Sequence, residues 1–251
     1  MKRILSATLV LLMAVLPSLV QAKVTHLLPK PHEVKETNGT PFALKRDVTI
    51  TYAGEAAQCA LLEKFFTDNG CELTATGGTP ITVTLVESID GTHDYTLEGF
   101  DNESYTLVVT SNAIEITAVK PIGVIRAAQT LVQLAEGYGD GNAAIETVEI
   151  KDWAAFKLRG FMHDVGRSFI SVDELKKHID LLSRFKVNCF HWHFTENQAW
   201  RFEVKEYPAL TSAESMTRFA GSYYTQEQCR EVAAYAKERG IIITYNYLHN
   251  K

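Results

Sequence analysis

The chain has 251 residues, of which 46% are hydrophobic and 22% charged, and its formal net charge is −5. This is ordinary globular composition, long enough to bury one or two hydrophobic cores. A mildly acidic chain without a basic cluster has none of the features of a nucleic-acid-binding protein, so we expect no nucleic-acid partner.

Residues 1–22 have the pattern of a secretory signal peptide. Lys2 and Arg3 precede the apolar run ILSATLVLLMAVL, and a small-residue cleavage site ends at Ala22. The alternative is a membrane anchor, but the run is too short for a span of about 20 residues. We therefore expect an exported protein, periplasmic or extracellular, with no integral membrane span after the signal is removed.

Residues 23–152 predict an α+β domain. The segment LLPKPHEV begins it as an extended edge, and helices are predicted over 55–70 and from Pro121 onward. Alternating apolar residues predict strands at 47–52, 81–86, 105–110 and 113–119. We expect the two helices to pack against a small antiparallel sheet. A loop is predicted at 137–142. This domain contains no chemical motif, which favours a structural or docking role.

Residues 153–251 have a different pattern, in which strands and helices alternate. Strands are predicted at 158–165, at 187–194 and in the segment GIIIT, and the intervening helices begin at the capping boxes of Ser171 and Thr225. This order predicts parallel βαβ units. Functional side chains in such folds cluster where the strands end, so the polar residues after each strand are the candidates.

The four cysteines are too few for a disulfide scaffold. Cys59 and Cys189 lie in apolar runs and are predicted to be small core residues, while a Cys59–Cys71 bridge is left open. The chain has no CxxC motif, which argues against a thiolate zinc site.

The segment HWHFTENQAW, residues 191–200, is the most distinctive part of the sequence. On a strand His191 and His193 face one side and Trp192 the other. A His-x-His pair can bind a metal, can pack in a core, or can line a pocket. In the preceding loop, Asp164 and Arg167 have the spacing of an ion pair, which can be purely structural or can fix the guanidinium for sugar hydroxyls.

Three longer segments carry a family resemblance. RGFMHDVGRSF, KVNCFHWHFTENQAWRFEVKEYP and YYTQEQCREVAAYAKERGIII resemble the first part of the catalytic barrel of glycoside hydrolase family 20, the β-N-acetylhexosaminidases. The resemblance implies a (β/α)8 TIM barrel after an α+β domain. It also implies removal of terminal N-acetylglucosamine or N-acetylgalactosamine from glycans, with retention of configuration and no cofactor. The substrate's own acetamido oxygen attacks, in place of an enzyme carboxylate.

The resemblance also implies roles for individual residues. Arg167 matches the family's substrate-binding arginine, and Asp164 and His193 match the adjacent pocket wall. Glu196 and Asn197 stand where aspartates are common in the family, which changes the reach and the charge of that part of the site. Trp192 is expected to pack behind the strand, away from sugar.

The family's catalytic Asp-Glu pair has no counterpart in this chain. The only Asp-Glu dipeptide is Asp173-Glu174, which is explained as negative charge at a helix N-terminus. The sequence therefore predicts an incomplete barrel, with three strands and two helices, and an inactive chain. Two alternatives remain: a non-catalytic carbohydrate-binding remnant, and a metal-binding export factor that uses His191 and His193.

Overall fold

The computed structural model describes residues 26–54, 56, 58–95, 97–136 and 144–246, with the side chain of Asn246 left out. The predicted signal peptide and the loop predicted at 137–142 lie outside these residues. Among the described helices, none is long and apolar enough to cross a membrane.

The first part of the described chain combines a large sheet with two helices. Its elements are β1 (Glu33–Glu36), β2 (Phe42–Ala43), β3 (Asp47–Ala53), α1 (Ala60–Asp68), β4 (Glu72–Leu73), β5 (Thr79–Leu85), β6 (Tyr105–Val109), β7 (Ile114–Ala118), α2 (Pro121–Glu136), β8 (Ala144–Ile145) and β9 (Val148–Asp152). Seven of these strands form one sheet in the order β1-β9-β6-β7-β5-β3-β4, and β2 pairs separately with β8.

The prediction of a small antiparallel sheet is wrong. Strands β1, β9, β6 and β7 pair antiparallel, but β7–β5, β5–β3 and β3–β4 are parallel. For β3 and β5, the reason is that the chain between them runs through α1 and β4 as a crossover and returns to the same end of the sheet before β5 begins. The pattern of short strands and one helix does not distinguish this crossover from a hairpin.

Helix α1 is also shorter than predicted. It begins at Ala60, because Cys59 has an extended backbone (φ −117°) and donates its N–H to the Tyr52 hydroxyl, 3.0 Å away. The C-terminal signal is confirmed, since the helix is capped at Asn69 and Gly70 has φ +75°. Buried Leu62, Phe65 and Phe66 join the main hydrophobic core.

The second part of the described chain has the predicted alternation. Its elements are β10 (Gly160–Asp164), α3 (Val172–Arg184), β11 (Cys189–His193), β12 (Thr195–Glu196), β13 (Ala199–Trp200), two 3-10 helices (Pro208–Thr211 and Ala213–Ser215), α4 (Gln226–Glu238) and β14 (Ile242–Asn246). Strands β10, β11 and β14 form a parallel sheet in that order, and β12 pairs with β13. Both capping boxes are present, at Ser171 and Thr225.

Helices α3 and α4 bury their apolar residues against one side of this parallel sheet. Leu175 and Ile179 of α3 and Val232 of α4 share a core with Phe190 and Trp192 of β11. All four cysteines are free, so the Cys59–Cys71 bridge that the sequence left open is absent from the structure.

A buried polar seam joins the two parts of the chain. The carboxylate of Glu103, in the loop before β6, accepts hydrogen bonds from Arg126 of α2, Arg159 and Asn188. Burial disfavours the charged form of this carboxylate, but the two guanidinium groups stabilise that form and hold the pKa of Glu103 below its ordinary value. The seam therefore ties the loop before β6 and helix α2 to the residues that precede β10 and β11.

A second ion pair lies in the same seam. Lys186 Nζ is 2.8 Å from Asp152 Oδ2 and donates to the Tyr105 hydroxyl at 2.9 Å. The side chains of Lys186 and Asp152 are only 7% and 8% exposed. Burial lowers the pKa of Lys186. At Asp152 burial alone would raise the pKa, but the nearby ammonium group outweighs it and holds the pKa below its ordinary value. Each charge in this pair therefore depends on the other.

Replacing Lys186 with methionine should lower the free energy of unfolding by about 3–5 kcal/mol, because the buried Asp152 carboxylate would lose its ammonium partner and keep hydrogen bonds from Tyr105 and His32 in its place. Urea denaturation of the purified chain measures this change. Adding Asp152→Asn should recover part of the loss. The control is Lys35→Met, which removes an exposed pair with Glu149 (the Lys35 side chain is 71% exposed) and should change stability by less than about 1 kcal/mol. Equal losses for the two lysine variants would contradict the prediction.

Candidate functional site

The candidate residues come together where the parallel strands end. Asp164 and His193 are the last residues of β10 and β11, and they are direct partners in the strand register. Arg167 lies in the loop after β10, and Glu196 lies in β12, directly after β11. Strand alternation places Asp164 and His193 on the same side of the sheet.

Two carboxylates hold the guanidinium of Arg167. Its Nε lies 3.1 Å from Asp164 Oδ2, and its Nη2 lies 2.8 Å from Glu196 Oε1. The backbone N–H of Arg167 also donates to Asp164 Oδ1 at 3.0 Å. The Arg167 side chain remains 57% exposed, whereas Asp164 and Glu196 are 20% and 19% exposed. The guanidinium is therefore fixed on its inner side and open to a ligand on its outer side.

His193 borders the same carboxylate. Its Nε2 lies 3.2 Å from Glu196 Oε1, but the two atoms are not aligned for a hydrogen bond. This ring nitrogen is thus buried with no hydrogen-bond partner among the described residues. One guanidinium and two carboxylates therefore meet beside a buried ring nitrogen.

The two histidines face the same side of β11, as predicted, and His191 does not belong to the described group with metal-ligand spacing. The rings of His191 and His193 are 6.0 Å apart on one side of β11, and His191 Nδ1 lies 3.2 Å from the Thr244 hydroxyl. The described residues include one group with metal-ligand spacing, Asp164, His193 and Glu196, whose ligand atoms lie within 4.8 Å of one another. Arg167 already occupies both carboxylates of this group, so its positive charge opposes a bound cation.

Trp192 packs behind the strand, as predicted. It is 1% exposed, and its ring centroid lies 4.5 Å from that of Phe194 and 4.8 Å from that of Tyr224. Its face of β11 belongs to the core with helices α3 and α4, so it cannot stack on a ligand beside His193.

Gly166 is a site residue that the sequence did not reveal. A β-carbon at this position would lie 3.0 Å from both the Cβ and the backbone N of Glu196. The backbone N–H groups of Val165 and Gly166 point to the His193 carbonyl, at 3.0 and 3.4 Å. The loop after β10 therefore lies tightly against Glu196 of β12, and a side chain at position 166 would crowd it.

Comparison with known proteins agrees with this architecture. The family model for Glycosyl hydrolase family 20, domain 2, matches residues 24–153, and that for the Glycosyl hydrolase family 20 catalytic domain matches residues 156–246. The chain belongs to glycoside hydrolase family 20. Its relatives include a beta-hexosaminidase of Porphyromonas gingivalis, 34% identical over 87% of this chain, and one of Vibrio furnissii, 34% identical over 86%.

Solved structures of this family have the same fold. A GH20 exo beta-N-acetylglucosaminidase from Vibrio harveyi, in complex with N-acetylglucosamine, superposes with a TM-score of 0.73 over 90% of this chain at 28% identity. A beta-N-acetylhexosaminidase from Bacteroides fragilis gives 0.70 over 87% at 28% identity. The chain spans 29% and 36% of the lengths of the two sequence relatives, and 36% and 44% of the two solved chains. It thus corresponds to an N-terminal domain and part of a catalytic domain.

Substituting Gly166 with alanine should destabilise the protein by about 1–3 kcal/mol, because the new methyl group would crowd the Cβ and the backbone N of Glu196 and the carboxylate of Asp164. Gly160→Ala is the matched control, since its nearest neighbour would lie at an ordinary 3.8 Å. Urea denaturation compares the two variants. A Gly166→Ala protein as stable as Gly160→Ala would show that the two loops have more room than this geometry allows.

Proposed function

We propose that this chain supplies the substrate-binding arginine and the pocket wall of an exported β-N-acetylhexosaminidase. The enzyme would remove terminal N-acetylglucosamine or N-acetylgalactosamine by substrate-assisted hydrolysis with retention of configuration. The observation that carries the proposal is the fixed guanidinium of Arg167, held by Asp164 and Glu196 where parallel strands end, in a chain of this family.

The geometry of Arg167 suits a sugar. Its contacts to protein use Nε and Nη2. A guanidinium is a planar fork with further N–H donors, which can bond to two neighbouring ring hydroxyls at once. Because the inner contacts already fix the rotamer, binding a sugar costs little additional side-chain entropy.

The chemistry of bond cleavage is proposed to depend on residues outside this chain. Substrate-assisted hydrolysis needs a general acid, and in this family an Asp-Glu pair protonates the leaving group and orients the acetamido group. Asp173-Glu174 does not serve, because Glu174 closes the capping box of α3 with Ser171. We therefore propose that the 251-residue chain binds sugar but does not hydrolyse it alone.

We also propose that β10, β11 and β14 are the first three strands of a (β/α)8 barrel, with α3 and α4 as its first two helices. Parallel pairing in chain order and helices along one side of the sheet support this. The family resemblance favours the same arrangement.

Replacing Arg167 with methionine should weaken binding of N-acetylglucosamine by about tenfold to a hundredfold, because each lost hydrogen bond to a charged group contributes roughly 1.5–3 kcal/mol. Ligand-detected NMR or calorimetry on the 251-residue chain measures this. Arg230→Met is the control, since Arg230 is a surface cation of α4 with a side chain 69% exposed. Absence of binding by the unmodified chain would contradict the proposed sugar site. Release of nitrophenol from a p-nitrophenyl N-acetylglucosaminide would contradict the proposed inactivity.

Export gives a separate prediction. In a Gram-negative bacterial host the mature protein should begin at Lys23, because the small residue Ala22 fits the cleavage site of a signal peptide. Mass spectrometry of the N-terminal peptide determines this. An Ala22→Lys variant should remain unprocessed, and an intact N-terminus on the unmodified protein would argue against export.

A further inference from the structure

Arg201 is a buried cation in the segment that follows β13. It is 0% exposed. None of the hydrogen-bond acceptors of its guanidinium is a carboxylate: five are backbone carbonyls and one is the sulfur of Met216. Burial lowers its pKa below the ordinary value of an arginine. Removing a guanidinium from water costs free energy, and these hydrogen bonds compensate for that cost. The number of these contacts indicates a structural role for the buried charge.

The carbonyl acceptors of Arg201 come from two separate loops. On one side, its Nε donates to the Val165 carbonyl at 3.1 Å, and its Nη2 donates to the Gly166 carbonyl at 3.3 Å. These two residues directly precede Arg167. The contacts therefore fix the peptide planes from which the sugar-binding side chain projects.

On the other side, Arg201 holds a tight turn in the long connection before α4. It donates to the carbonyls of Arg218, Phe219 and Ser222 at 2.7, 2.9 and 2.7 Å. Phe219 has φ +49° and Gly221 has φ +73°, so the turn uses two left-handed residues to aim its carbonyls at one cation. A guanidinium has five N–H donors in one plane, which suits a set of carbonyl oxygens that converge from two loops.

We propose that Arg201 is the positioning residue for Arg167: it joins the loop after β10 to the connection before α4 and so fixes the geometry of the Arg167–Glu196 ion pair. It does not touch the site itself. The backbone carbonyl groups of Val165 and Gly166 transmit its effect, and close packing of Gly166 on Glu196 carries it across to the second carboxylate. The consequence for sugar binding rests on the proposed function, but the positioning itself does not.

The test measures amide hydrogen exchange over residues 165–168. In the unmodified chain these N–H groups bond to the His193 carbonyl and to the side-chain and main-chain oxygens of Asp164. Arg201→Lys retains the charge but loses the planar fork, so exchange there should rise by about tenfold or more. Gly221→Val is a second variant that leaves Arg201 intact and strains the turn, and it should raise exchange in the same segment.

The matched control is Lys186→Met, which removes a buried cation at the other end of β11. Lys186 precedes this strand, whereas His193 ends it. If Arg201 acts only through global stability, Lys186→Met should raise exchange at 165–168 as much as Arg201→Lys does, and that result would overturn the proposal. Unchanged exchange in both Arg201→Lys and Gly221→Val would overturn it as well.

Binding of N-acetylglucosamine separates this inference from the proposed function. Arg201→Lys should weaken binding by about tenfold, through loss of preorganisation, whereas Lys186→Met should weaken it less than Arg201→Lys does. If exchange rises as expected but the unmodified chain binds no sugar, the positioning role stands and the proposed function fails. If the unmodified chain binds sugar and Arg201→Lys binds equally well with unchanged exchange, the positioning role fails alone.

Discussion

The alternation of side chains along β11 is the constraint on which the site depends. A strand presents successive residues to opposite faces, so one short segment must serve a hydrophobic core and a polar surface together. Phe190 and Trp192 face helices α3 and α4, and His191 and His193 face the other side. A shift of one residue in register would bury both histidines and expose the tryptophan. The large buried aromatic ring therefore fixes which polar groups reach the site.

The two ends of β11 lie in different surroundings. At its start, the polar seam around Glu103 and Lys186 ties the parallel sheet to the first part of the chain. Buried ion pairs of this kind contribute little net stability, but breaking one partner is expensive, so they favour one arrangement of the two parts over others. At its end, the two carboxylates are about one-fifth exposed and Arg167 is more than half exposed. Buried ion pairs thus lie at one end of the strand and ligand access at the other.

Local signals in the sequence were enough to predict much of this structure. Features that depend on contacts between residues far apart in the chain could not be predicted. The capping boxes at Ser171 and Thr225 involve residues three apart, so they can be read directly. The facing of Trp192 follows from strand period alone. The parallel pairing of β3 and β5 could not be predicted in this way, because a crossover and a hairpin can have similar strand patterns. The role of Arg201 could not be predicted either, since its acceptors are mostly backbone carbonyls at distant positions. Every residue has a backbone carbonyl, so such contacts leave no pattern of residue types in the sequence.

The site's charge gives a physical reason for its composition. Glu196 Oε1 lies 2.8 Å from Arg167 Nη2 and 3.2 Å from His193 Nε2, so one oxygen borders both groups. Two carboxylates thus flank one guanidinium, which leaves one acidic group in excess. In the proposed reaction, positive charge develops on the sugar as the acetamido oxygen attacks, and a net negative wall favours that change electrostatically. Arg167 must then be held by carboxylates, because an unpaired guanidinium there would oppose the developing charge. The same two carboxylates that fix the arginine for sugar binding thus also compensate its charge.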